Sequence, residues 1–188
     1  MHPQYTSGLL DREEANQRLQ ELLIYIAQKC QDYTHFGAIK LNKTLYFADF
    51  INFRKTGRSI TGSQYMKLPN GPVPQQMKFV LEDLRAKGHL VRQEREHFGN
   101  LQHRYIPLRE PNLELFSATD IALVDSIIED LGSLNASQVS GLSHNRVWRI
   151  ARLKEMIPYE AVFISDEGVT DDDISIANEL AEKYGWAA

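Results

Sequence analysis

Residues 40–74 have the sequence KLNKTLYFADFINFRKTGRSITGSQYMKLPNGPVP, and this stretch decides the fold of the chain. Its aromatic and aliphatic side chains recur at helical spacing around much of the helix circumference, which is typical of a helix buried on several sides. Gly57 is placed to end that helix in a left-handed conformation. We therefore predict a central helix from about residue 36 to 55, with Tyr46 and Phe50 in the core.

The segment after this helix predicts a small β-element. Residues 59–68 contain several β-formers and predict a short strand or an extended arm, and Asn70 opens a turn. The next four residues, Gly71–Pro74, contain two prolines ahead of a helix predicted at 75–87, where a proline in the first turn loses no hydrogen bond. We therefore predict that Gly71–Pro74 is a turn that shapes the backbone rather than a contact surface.

The rest of the chain is mostly helical in pattern. The fold class is mostly α with minor β: a helical domain with a short strand and an inserted β-hairpin, winged-helix-like in part. We predict a single domain over residues 1–188, with its core at about 20–160. The remaining predicted elements are a helix at 11–31 with Cys30 on its buried face, a hairpin at 89–96 and 101–108, a helix capped by Ser117 and Asp120 and ended at Gly132, one or two short helices within 137–150, and an acidic helix at about 170–185.

Composition narrows the class of protein. The chain has 43% apolar and 24% charged residues, which is ordinary for a soluble globular protein. A net charge of −4 gives no overall attraction to nucleic acid or to an anionic membrane. Cys30 is the only cysteine, which excludes an intramolecular disulfide and fits a reducing compartment. With no signal-peptide pattern and no apolar run of about 20 residues, we predict a cytoplasmic protein with no membrane partner.

Catalytic and metal-binding motifs are missing from the sequence. It contains no Cys-x-x-Cys, His-Glu-x-x-His, Walker-type, Gly-x-Gly-x-x-Gly or Gly-x-Ser-x-Gly motif. One hypothesis is that His97 and His103 face each other across the hairpin. Two separate, solvated histidines are the simpler interpretation. We predict no metal, no cofactor and no enzymatic activity.

Several motifs occur in an order and spacing that resemble a known family. Lys-Leu-x-Lys runs into Leu-Tyr-Phe-Ala, then come a Thr-Gly-Arg helix end, a strand aromatic, a Gly-Pro-Val-Pro turn, and Leu-Ser-His followed by Trp. These residues are Lys40, Leu41, Lys43, Leu45, Tyr46, Phe47, Ala48, Thr56, Gly57, Arg58, Tyr65, Gly71, Pro72, Val73, Pro74, Leu142, Ser143, His144 and Trp148. The set resembles the Panacea, or SocA-like, antitoxin domain of bacterial and phage toxin–antitoxin systems, over about residues 20–160.

The resemblance implies a non-enzymatic protein. Domains of this family look like modules encoded beside an unrelated small toxin, which they neutralise by direct binding. At least one relative is similar to an adaptor that delivers its toxin to a AAA+ protease. We expect a structural role for the motif residues Lys40, Leu45, Tyr46, Phe50, Gly57, Gly71, Pro72 and Pro74.

Five residues are candidates for contact with the toxin: Tyr65, Lys67, Asn70, His144 and Trp148. The first three fall on a predicted arm or loop, where functional residues are common. His144 and Trp148 are four residues apart and would share a helical face, either as a contact pair or as a pH-sensing histidine. A second interpretation is open, in which a buried Trp lies beside a His that hydrogen-bonds a backbone carbonyl.

DNA binding is the main alternative function. The predicted helix at 75–87 followed by a hairpin resembles a winged helix, with Gln75, Gln76 and Lys78 at the start of a would-be recognition helix. Residues 75–110 contain seven Lys or Arg and five Asp or Glu. DNA-reading domains usually have a denser basic face. The alternating Arg and Glu residues of the hairpin are equally consistent with charge pairing between strands.

Overall fold

A computed structural model describes residues 8–97 and 99–164 and the single residue 175. The acidic helix predicted at about 170–185 lies outside this description. Within the described ranges the chain is mostly helical with small antiparallel sheets, as predicted. The elements are α1 (Arg12–Lys29), α2 (Ala38–Thr56), β1 (Tyr65–Leu68), β2 (Gly71–Pro74), α3 (Met77–Ala86), β3 (Leu90–His97), β4 (Asn100–Pro107), a 3-10 turn (Leu113–Leu115), α4 (Ala118–Gly132), α5 (Ala136–Leu142), α6 (Arg146–Ile150), β5 (Met156–Ile157) and a second 3-10 turn (Tyr159–Phe163).

Local signals set the ends of the long helices. The Asp11 carboxylate accepts hydrogen bonds from the backbone N–H groups of Glu13 and Glu14, which caps α1. Gly57 ends α2 with φ 74°, in the left-handed conformation predicted for it. The side chain of Ser117 and that of Asp120 form a reciprocal capping box at the start of α4.

Helix α2 is central, as its all-round apolar pattern predicts. It packs against α1, α4, α5 and β2, and its residue Leu45 lies in the main core. Cys30 follows α1 and is buried in the same core, where burial raises the pKa of its thiol to about 12. A thiol with so high a pKa is not a nucleophile at neutral pH.

A second, aromatic cluster lies on the other side of α2. The rings of Tyr46, Phe50, Tyr65 and Tyr159 are in contact, with centroid separations from 4.4 to 6.2 Å. Tyr46 and Phe50 are buried, as predicted from their helical spacing. Offset and edge-to-face ring pairs add to the stability gained from burial alone.

Residues Gly71–Pro74 form a strand, so the predicted turn is wrong. They pair antiparallel with β1, Tyr65 opposite Pro74 and Leu68 opposite Gly71, in a sheet of order β2-β1-β5. Strand β2 is at the edge of this sheet, and an edge strand tolerates prolines because one side of it needs no donors. Helix α3 begins at Met77, so neither proline lies in its first turn.

The β3–β4 hairpin follows α3, as predicted, but its register separates the two histidines. Glu94 is opposite His103, and His97 is opposite Asn100. The hypothesis that His97 and His103 face each other across the hairpin is therefore wrong. The pairing runs without a bulge from Leu90 opposite Pro107 to the tip.

Asp49 of α2 pins the loop that leads into β1. The carboxylate is completely buried, and it accepts hydrogen bonds from the backbone N–H groups of Ile60 (2.8 Å) and Thr61 (2.7 Å), the Thr61 hydroxyl and the Tyr65 hydroxyl (2.8 Å). Burial raises the pKa of Asp49, and these hydrogen bonds oppose the rise. The loop at 59–64 is thereby fixed to α2.

Candidate partner-binding surface

Lys67 of β1 holds the α6–β5 segment against the first sheet. Its backbone N–H donates to the carbonyl of Glu155 and its carbonyl accepts from the N–H of Lys154, both at 2.9 Å. Its ammonium donates to the carbonyl oxygens of Ala151 (2.9 Å) and Arg149 (3.4 Å) at the end of α6. Lys154 has φ 66°, a left-handed conformation that turns the chain sharply between α6 and β5.

Trp148 of α6 is fixed by contacts on three sides. Its indole Nε1 donates to the carbonyl of Leu68 (3.2 Å), and the Lys67 ammonium lies 4.2 Å from the centre of its ring system. The imidazole of His144 stacks on it, with ring centroids 3.6 Å apart and planes 6° apart. Both side chains are half-buried. His144 and Trp148 therefore share a helical face, as predicted. The hydrogen bond to a backbone carbonyl, however, is donated by Trp148 and not by His144.

His144 is surrounded by positive charge. Burial, and then the ammonium groups of Lys43 and Lys67, lower the pKa of its imidazole below the ordinary value. The Nε2 atom lies 3.4 Å from the hydroxyl of Ser140. The stack on Trp148 is thus between an indole and a neutral imidazole at neutral pH.

Lys43 of α2 lies beneath this region with 1% of its surface exposed. A Cβ at Gly71 would overlap its ammonium and would lie 2.5 Å from the Ser143 hydroxyl, so only a glycine fits the backbone there; φ of Gly71 is also positive, at 106°. Among the described residues the Lys43 ammonium is not in an ion pair with a carboxylate. Burial lowers its pKa to about 8.

Four of the five predicted contact residues come together. Lys67, His144 and Trp148 are in contact as described above, and the carbonyl of the exposed Asn70 accepts a hydrogen bond from the Ser140 hydroxyl (3.0 Å). We call residues 67–70 together with residues 140–156 the hairpin–α6 surface.

Tyr65, predicted on an arm or loop as a candidate contact residue, lies instead on strand β1 and does not belong to this surface. Only 1% of the residue is exposed, because its ring packs in the aromatic cluster and its hydroxyl donates to Asp49. We therefore remove Tyr65 from the candidate contact residues.

Two further features of the surface were missed from the sequence. Residues 143–154 contain four Arg or Lys and no Asp or Glu, a signal that a charge count of this segment would have found. The burial of Lys43 was also missed, and no sequence signal marks it because Gly71 and Ser143 approach it only in the folded chain. The motif residue Lys40 is likewise buried, and its ammonium donates to the carbonyl of Gly132 (3.1 Å).

The region proposed as a DNA reader has most of its positive charge engaged. Helix α3 and the β3–β4 hairpin have the order of a winged helix, but five of the seven basic side chains between residues 75 and 110 have partners. These are Lys78 with Glu82, Lys87 with Asp83, Arg92 with Glu94, Arg109 with Glu21, and Arg104 with the carbonyls of Cys30 and Gln31. The region therefore does not have the dense, free basic face that is usual in DNA-reading domains.

Comparison with known families agrees with the motif order. A family model described as "Antitoxin SocA-like, Panacea domain" matches residues 41–149, more than half of the chain. The chain belongs to the SocA-like Panacea domain family. The match spans α2 to α6 and includes every residue of the hairpin–α6 surface up to Arg149. Searches of curated proteins and of solved structures gave no match.

Membership of an antitoxin family implies a toxin as partner and suggests a non-enzymatic role. In the described ranges, His, Cys, Asp and Glu residues do not gather in groups of three or more that would suit a metal ion. The helices in these ranges are each too short or too polar to cross a membrane.

Proposed function

We propose that this protein is an antitoxin that neutralises a cognate protein toxin by binding it through the hairpin–α6 surface. The observation that carries the proposal is the rigid cluster of Lys67, His144 and Trp148, which lies at the surface of a matched antitoxin domain. Tryptophan is among the residue types that dominate protein–protein binding energy. Backbone carbonyls hold the Lys67 ammonium and the Trp148 indole in place, and the His144 ring is stacked on Trp148.

The pre-set geometry of this cluster supports binding rather than catalysis. The Trp148 ring is held by a hydrogen bond to Leu68 and by stacking on His144, so little side-chain freedom remains to be lost when a partner binds. The hydroxyl of Ser140, 3.4 Å from the Nε2 atom of His144, donates a hydrogen bond to the Asn70 carbonyl. The hydroxyl is therefore occupied as a structural donor.

A growth assay with two matched variants tests the proposal. Asn70→Trp places a bulky side chain on the exposed tip of the β1–β2 hairpin, and we expect it to abolish rescue of cells that express the toxin encoded beside this chain. The control, Gln93→Trp, makes a comparable exposed change on β3 and should preserve rescue. Full rescue by Asn70→Trp, with soluble protein at wild-type level, would place the toxin-binding surface elsewhere.

Lys67→Glu is a less specific variant. The Lys67 ammonium bonds two carbonyl oxygens at the end of α6 and lies over Trp148, so its replacement also releases α6. We expect Lys67→Glu to weaken neutralisation and to lower the melting temperature slightly. A loss of binding in Lys67→Glu therefore supports the proposal only if Asn70→Trp loses binding as well.

Delivery of the bound toxin to a AAA+ protease is a variant of the same proposal, and the comparisons give it no support of its own. Rescue in cells that lack the protease separates the two mechanisms. Persistent rescue would indicate sequestration, and lost rescue with an intact complex would indicate delivery.

A further inference from the structure

The hairpin–α6 surface is positively charged in an acidic protein. Its segment 143–154 contributes Arg146, Arg149, Arg152 and Lys154 with no acid, whereas the whole chain has a net charge of −4. Arg152 and Lys154 are exposed. The carboxylate of the neighbouring Glu155 is turned to the backbone N–H of Arg152, at 2.5 Å. Lys67 on β1 and the buried Lys43 add positive charge beneath the same region.

Apolar side chains alternate with these charges. Ile150 and Leu153 are 73% and 60% exposed, and Met156 follows on β5 with its side chain also exposed. Arg, Met and aromatic residues are enriched in the cores of protein interfaces. Phosphate groups, in contrast, gain nothing from exposed Ile and Leu side chains, because nucleic-acid affinity comes mainly from the charged backbone.

The surface is also held in one shape. Lys67 fixes the end of α6 through two carbonyl oxygens, and Lys154 turns the chain back to pair with β1. The exposed apolar residues therefore lie on a segment whose backbone is fixed, and they alternate along the chain with exposed basic residues. Such a segment suits a partner with one apolar side and one acidic side.

We propose that the hairpin–α6 surface binds an acidic, amphipathic segment of the toxin. The apolar side of that segment covers Ile150 and Leu153, and its Asp or Glu side chains pair with Arg152 and Lys154. This inference rests on the proposed function and adds to it the chemistry of the partner. It predicts that the affinity falls as the salt concentration rises, because exposed charge pairs are screened.

Matched charge reversals test the inference with the full-length chain and the purified toxin encoded beside it. Arg152→Glu/Lys154→Glu should weaken the complex about tenfold or more, because the reversed charges repel an acidic segment. Arg54→Glu/Lys55→Glu, at the exposed end of α2, makes the same change in net charge and should leave the affinity within about twofold. If both double variants bound the toxin as tightly as the wild-type chain does, the inference would be overturned and the proposed function would stand. A wild-type protein that forms no complex would overturn both.

Zero-length carbodiimide cross-linking identifies the partner groups directly, since it joins an amine to a carboxylate that touches it. We expect cross-links from Lys154 or Lys67 to Asp or Glu residues of the toxin, and Lys154→Arg should remove those from residue 154 while it preserves binding. Cross-links that start only from lysines elsewhere, such as Lys55 or Lys78, would overturn the inference.

A nucleic acid is the competing occupant of a basic surface, and the same variants distinguish it. A random-sequence 20-base-pair DNA duplex should bind the wild-type chain at least tenfold more weakly than the toxin does at equal salt concentration. A duplex that binds as tightly as the toxin and is lost on Arg152→Glu/Lys154→Glu would overturn the acidic-segment proposal in favour of nucleic acid.

Discussion

Replacement of Lys43 by Met should stabilise the protein at neutral pH, and this gain should vanish in alkali. Burial lowers the pKa of the Lys43 ammonium from 10.5 to about 8. A difference of this size corresponds to about 3 kcal/mol by which the fold disfavours the charged ammonium. Methionine keeps most of the apolar length of the side chain and removes the charge. At pH 7 the free energy of unfolding of Lys43→Met should therefore be higher than that of the wild type by up to about 3 kcal/mol.

The direction with pH follows from proton binding. Between pH 8 and 10.5 the unfolded wild-type chain holds the Lys43 proton while the folded chain releases it, so the wild-type stability contributed by this group rises with pH. The advantage of Lys43→Met should accordingly shrink through this window. Below about pH 8 both states hold the proton, and the difference between variant and wild type should be constant.

Urea unfolding of both proteins at several pH values from 7 to 10.5 measures this difference. Other groups that titrate in the range cancel when the two proteins are compared at the same pH. Lys55→Met, on the exposed part of α2, controls for the loss of a positive charge from this helix. A difference that stays constant across the whole range would refute the reasoning that Lys43 is held buried as a costly ammonium.

Two further predictions concern the core around Tyr65. Tyr46→Ala should lower the free energy of unfolding by about 3–5 kcal/mol in urea denaturation, because it removes a buried ring that contacts Phe50 and Tyr65; an unchanged midpoint would contradict the core placement. Asp49→Ala should cost at least about 3 kcal/mol or prevent folding, because it leaves several buried donors of the loop at 59–64 without their acceptor. Asp49→Asn keeps part of this acceptor capacity, so its stability should fall between those of the wild type and Asp49→Ala. A wild-type midpoint for Asp49→Ala would show that the loop is held by other contacts.

The helical part of the fold was predictable because burial and capping leave strong local patterns. The apolar periodicity of α2 placed Tyr46 and Phe50 in the core, and the Ser117–Asp120 pair marked the start of α4. Both signals depend on residues within a few positions of one another. They carry the same physical meaning in an isolated sequence as in the folded chain.

The candidate surface was only partly predictable, because its contacts join residues far apart in the chain. The interpretation of Gly71–Pro74 as a turn failed because the prolines that fit a helix start also fit an edge strand, and only the pairing with β1 decides between these. Tyr65 was predicted to be a contact residue because its hydrogen-bond acceptor, Asp49, is recognisable only after folding. The contact of Lys67 with Trp148 likewise joins residues about 80 positions apart.

The central claim is direct binding of a toxin, and the most direct measurement is titration calorimetry between this chain and the purified product of the neighbouring toxin gene. The account predicts a saturable complex of fixed stoichiometry that Asn70→Trp weakens and Gln93→Trp leaves intact. Cells rescued from the toxin by this chain, with no heat of binding and no complex in gel filtration, would contradict it.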